Sequence, residues 1–178
     1  IGAYALTAFD STSASRTSAN VNSYNLAIGY NVGANLTTGK NNILLGNNSY
    51  QLTTSNYNVA IGNSALAAAT VELGNIAIGH QALSKCRDDG ADYNVVIGFE
   101  ACEYVVNLGE RNVIIGYEAG LGVDGATNIT ASNSVIIGNN ACSIGALSTQ
   151  IVAIGNLAAQ DATGATGLTA VGVYSATN

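Results

Sequence analysis

The chain contains no proline, no methionine and no tryptophan, and its aromatic residues are two phenylalanines and nine tyrosines. Apolar residues still make up 48% of it, so any core is built from medium-sized aliphatic side chains, as a thin interior requires. Charge is scarce. Five basic residues stand against eleven acidic ones, too few to cluster on phosphates, which excludes nucleic acid as a partner. No apolar run is long enough to span a membrane as a helix. A single histidine, His80, excludes a multi-histidine metal centre. With no G-x-S-x-G elbow in the chain, a Ser-His-Asp hydrolase finds no support either.

What the sequence does have is a repeat. An aliphatic residue is followed by glycine at Gly2, Gly29, Gly46, Gly62, Gly79, Gly98, Gly116, Gly138, Gly155 and Gly172. Successive glycines lie 27, 17, 16, 17, 19, 18, 22, 17 and 17 residues apart. So short a period, held from end to end, indicates a solenoid. Residues 1–178 read as one repeat domain without a linker. Ile1 already lies inside a repeat and neither end shows a capping unit, so the chain reads as a segment of a longer fibrous protein.

Aligned on the glycine, the unit is N-[VIL]-x-[IL]-G-x-x-A. Asparagine stands four residues before the glycine in six consecutive copies: Asn25, Asn42, Asn58, Asn75, Asn94 and Asn112, paired with Gly29, Gly46, Gly62, Gly79, Gly98 and Gly116. The aliphatic residues at minus three and minus one are mostly β-branched and share one face of a strand. That face is taken as the core. Glycine fits the tight corner that follows, and the small residue at plus three lets the chain turn inward. Stacked asparagines predict a side-chain ladder. About 17 residues hold two short strands, which predicts an all-β parallel roll of about ten coils. Candidates for the second strand are Tyr50–Thr53, Ala65–Val71 and Cys102–Val106. At ~4.8 Å per coil the stack would be about 45 Å long.

Position minus two is never charged, and in several copies it is large: Leu44, Val96, Ile114 and Ile136. Placed on the outer face of the strand, these four residues predict an interface with identical chains, since a bare apolar stripe calls for a cover. The cysteines do not form a disulfide framework. Cys102 and Cys142 fall two coils apart, about 9–10 Å, beyond bridging distance. Cys86 has only Cys102 as a conceivable partner, and three buried or unpaired thiols are the simpler reading.

The unit N-V-A-I-G-x-x-A-L at Asn58–Leu66, and again (with Ile76) at Asn75–Leu83, resembles the head repeats of trimeric autotransporter adhesins. It is closer still to the longer-period repeats of bacteriophage and other viral fibres. The resemblance implies a left-handed parallel β-roll, three chains around a common axis, and a structural or adhesive role without a cofactor. A virion-surface or extracellular location follows from it. So does host-surface attachment through a glycan or protein receptor. The alternatives are a bacterial trimeric adhesin head, a non-trimeric extracellular filament and an ice-binding solenoid. Two stretched steps, at Phe9–Ser23 and Leu121–Ser132, are expected to leave the coil as loops.

Candidate ligand contacts lie one residue after the glycine, where His80, Phe99 and Tyr117 occupy consecutive coils. A strip of rings flanked by amides suits sugar binding, or else stabilises the stack as a ladder. Glu100 and Glu118, one position on, form a possible cation-binding or catalytic pair. Asp88, Asp89 and Asp92 have the oxygen density of a Ca²⁺ loop but match no known calcium motif. No catalytic residue and no enzymatic activity is assigned.

Overall fold

The structure is a computed structural model that describes residues 24–49, 54–68, 72–86, 90–122, 127–129, 132–143, 150–160, 162 and 167–176. Its main feature is a nine-stranded parallel sheet. The strands are β1 (Leu26–Tyr30), β2 (Ile43–Asn47), β3 (Val59–Asn63), β4 (Ile76–Ile78), β5 (Val95–Ile97), β7 (Val113–Ile115), β9 (Val135–Ile137), β10 (Ile151–Ile154) and β11 (Leu168–Val171). Neighbours pair in repeat register, with Leu26 beside Ile43, Ile43 beside Val59, and Gly46 beside Gly62. This is a parallel β-solenoid, one coil per repeat. The coils are fewer than the ten that the glycine count predicts: nine strands form the sheet, and the copy at Gly2 lies outside the described residues.

The second short strand of the coil appears as β6 (Val105–Leu108), which pairs in parallel with β8 (Thr127–Ile129). An isolated bridge between Asn56 and Leu73 marks the same side earlier in the stack. Of the expected second strands, only the end of Cys102–Val106 falls in one. Ala65–Ala68 is a turn and Tyr50–Thr53 lies outside the described residues. The stretched step at Leu121–Ser132 does not simply loop out: it contributes β8 to the second sheet, at the cost of a register shift between Val105 and Asn107. The stretch Phe9–Ser23 is outside the described residues.

The core is formed by the other face of the strand. Leu44, Val96, Ile114 and Ile136 are fully buried within the coil, so they cannot form a contact with another chain as expected. Minus two points inward, beside the buried small residues Ala65, Ala82, Ala101, Ala119 and Ala141 at plus three. Part of the size variation that suggested an interface is volume compensation inside the coil, though not where Ala153 sits with Ala159. Ala60 and Ala77 accompany Leu66 and Leu83 at plus four, whereas Val96, Ile114 and Ile136 accompany Cys102, Gly120 and Cys142. A close-packed interior tolerates exchange of volume between neighbours better than a change in its sum.

Two columns pin the coils together. At the glycines, φ lies between 126° and 145° from Gly29 to Gly172, a region closed to other residues. The asparagines form the expected ladder: each side-chain oxygen accepts the backbone N–H of the next asparagine at 2.8–2.9 Å, from Asn25 through Asn112 to the N–H of Ser134. Ser134 does not break it, since its Oγ accepts the N–H of Ile151 at 3.0 Å. The side-chain amides also donate to backbone carbonyls: Asn42 to Ser55, Asn58 to Glu72 and Asn75 to Ala91. The ladder oxygens are thereby paired, while the buried side-chain nitrogen of Asn94 has no hydrogen-bond partner.

Candidate functional site

With minus two inside, positions minus three, minus one and plus one share the outside of the main sheet. In β1 the exposure alternates residue by residue, with Leu26, Ile28 and Tyr30 open to solvent. Down the stack, the first two of these columns read Ile43, Val59, Ile76, Val95, Val113 and Val135, and Leu45, Ile61, Ile78, Ile97, Ile115 and Ile137. All are exposed or half-buried. The result is a largely apolar face roughly 40 Å long over eight coil steps, more continuous than the scattered patches normal on a monomer.

The ring column borders this face at plus one. His80 stacks on Phe99 with centroids 5.0 Å apart and planes inclined by 25°, and Phe99 on Tyr117 at 5.4 Å and 6°. The structure thus brings together all three residues singled out from sequence. Rings stacked face to face present their edges to solvent. A sugar needs a free ring face, so the geometry supports the ladder over a carbohydrate platform at this column. Beside it, the Glu118 carboxylate accepts the Asn140 side-chain amide at 2.7 Å. Its hydrogen bond to Tyr117, with the charge of Glu118 and then Glu100, pushes the Tyr117 hydroxyl above its ordinary pKa.

No family model, curated protein or solved structure matches this chain.

The expected calcium loop falls largely outside the described residues. Asp88 and Asp89 lie outside the described residues, and the carboxylate of Asp92 accepts the N–H of Leu73 at 2.7 Å, a structural use. No group of three or more metal-ligating side chains occurs among the described residues. A clasp between adjacent coils had no sequence signal, because its members fall in the irregular half of the repeat. Nearly buried Glu103 accepts from Gln81 at 2.5 Å and pairs with Lys85 at 3.8 Å, while the Lys85 ammonium sits 3.9 Å above the Tyr104 ring. A second row of exposed rings, at minus five, likewise carries no signal beyond its spacing.

Cys86, Cys102 and Cys142 are all free and buried. Burial pushes the Cys142 thiol up to about 12, and burial together with the neighbouring Cys86 and Cys142 pushes Cys102 up as well. A folded pKa above the unfolded one gives stability that is complete below the unfolded value and lost as pH rises. Urea denaturation should therefore show stability falling between the usual 9.0 and about 12, by about 1.4 kcal/mol per pH unit for Cys142 alone. Cys142→Ala should flatten that slope, and an unchanged slope would contradict a buried thiol.

Proposed function

We propose that this chain is a structural and adhesive segment of a homotrimeric fibre, exposed on a virion or cell surface and serving host attachment. The observation that carries the reading is the uncovered apolar face of the main sheet. Two rows of side chains, aliphatic on all nine rungs but for Thr169, gain the hydrophobic stabilisation of burial only when another surface covers them. An identical sheet is the simplest cover, because its ladder has the same coil rise and can match rung for rung. The repeat's resemblance to trimeric fibre heads supports three chains around one axis and a left-handed roll. The interface assigned here is the minus-three and minus-one columns, in place of Leu44, Val96, Ile114 and Ile136. A rigid shaft presenting three copies of any receptor contact gains avidity from that geometry.

Light scattering should give about three times the 17.9 kDa chain mass. Ile97→Lys, on the outer face, should yield folded monomers with the circular dichroism of the parent. Val96→Lys, one residue away but in the core, should instead lose the fold. A wild-type chain that is a stable monomer would sink the proposal.

A further inference from the structure

Position minus five alternates in five successive coils: Tyr24, Asn41, Tyr57, Gly74 and Tyr93. Backbone hydrogen bonds keep these residues in one column, with the N–H groups of Tyr57, Gly74 and Tyr93 donating to Lys40, Asn56 and Leu73 of the preceding coil at 2.9, 3.0 and 2.9 Å. All five have left-handed backbone, with φ of 45°, 58°, 61°, 69° and 58° in chain order. Glycine and asparagine suit that conformation, and the same column uses them at Asn133 and Gly167. Nothing in the backbone asks for a ring, and the rings do not enter the core: Tyr24, Tyr57 and Tyr93 are 71%, 62% and 51% exposed. Left-handed backbone is common at the turns of this coil, as at Leu66, Gln81, Glu100 and Arg111, so it is the exposure of a large ring there that points to a role outside the fold.

The spacing separates this row from the ring ladder. Tyrosines on every second coil stand about 9.6 Å apart, so they do not cover one another's faces. The intervening residues are smaller. Tyr93 leans into the room that Gly74 leaves, where an added Cβ would lie 2.8 Å from its Cδ1.

We propose that this column binds an extended β-1,4-linked polysaccharide running along the solenoid axis. Each sugar in such a chain advances by close to the ~4.8 Å coil rise, and successive rings are flipped. The same apolar sugar face therefore recurs on every second sugar, which matches a tyrosine on every second coil. Tyrosine offers an apolar ring for the sugar's C–H face and a hydroxyl for its rim. Asn41 between two of the tyrosines, and Arg111 in the next coil after Tyr93, supply hydrogen-bonding groups for the sugar hydroxyls. An α-linked chain that coils does not keep this register. The inference names a ligand class for the attachment role and rests on that reading for its purpose alone.

The test is affinity electrophoresis of the intact chain in gels containing hydroxyethyl cellulose, with dextran as control. Wild type should be retarded by the first polymer and not by the second. Tyr57→Asn should weaken retardation about fivefold, the equivalent of about 1 kcal/mol. The triple variant Tyr24→Asn, Tyr57→Asn, Tyr93→Asn should abolish it while melting at or above the wild-type temperature, because asparagine suits the corner. Equal retardation by dextran, none by the cellulose derivative, or full retention in the triple variant would overturn the site. So would a change of mass in that variant, which would place the column in a subunit contact. A trimer that fails to bind leaves the fibre reading standing, and a monomer that binds leaves the site standing.

Discussion

Gly98→Ala is expected to lower stability by more than about 4 kcal/mol, the range reserved for gross steric or burial defects. A Cβ on Gly98 would run into the carbonyl oxygen of Gly116 in the next coil, and φ is +145°. The obstacle is backbone, so no side-chain rotation relieves it. The same collision recurs at each glycine from Gly29 to Gly155 with its successor, so yielding at one rung displaces the next. Gly167→Ala is the control: at φ +64° with nothing within 4 Å, it should cost only about 1–2 kcal/mol. Urea denaturation followed by circular dichroism measures both. Similar losses at the two sites would show that conformation, and not contact between coils, is what the repeat glycine serves.

The second large effect is expected at Asn58. Its oxygen accepts the N–H of Asn75 at 2.8 Å and its amide donates to the Glu72 carbonyl at 3.0 Å. Asn58→Ala removes the acceptor of the Asn75 N–H and a donor to the Glu72 carbonyl, at about 1–3 kcal/mol each, for a loss of about 2–6 kcal/mol. Asn58→Ser should recover part of it, because Ser134 already performs the forward half of this role with Ile151. If serine is no better than alanine by thermal denaturation, the acceptor bond is not what the ladder contributes.

The architecture was legible because its determinants are local and repeat: the glycine corner, the asparagine column and the coil period all stand in the sequence at fixed offsets. The direction of each face was not. Period-two alternation tells which residues share a face but not which face is inside, and here both are apolar. Size misleads as well. The coil interior is narrow, so Ala60 and Ala77 go in while Ile61 and Ile78 face out. The compensation between Ile114 and Gly120, six residues apart across a turn, shows only once the coil is closed. The ring column at His80, Phe99 and Tyr117 was visible as a series. Whether those rings offer faces or edges depends on side-chain orientation, which spacing does not encode.

The hydrogen bonds of both the sheet and the asparagine column run from coil to coil, along the stack. Tension applied between the ends of such a fibre pulls across those bonds one rung at a time instead of shearing many together. A released coil of 17 residues, such as Gly29 to Gly46, can extend to about 55–60 Å from a rise of ~4.8 Å. Stiff below the load that opens a rung, the stack would then lengthen in steps of one coil.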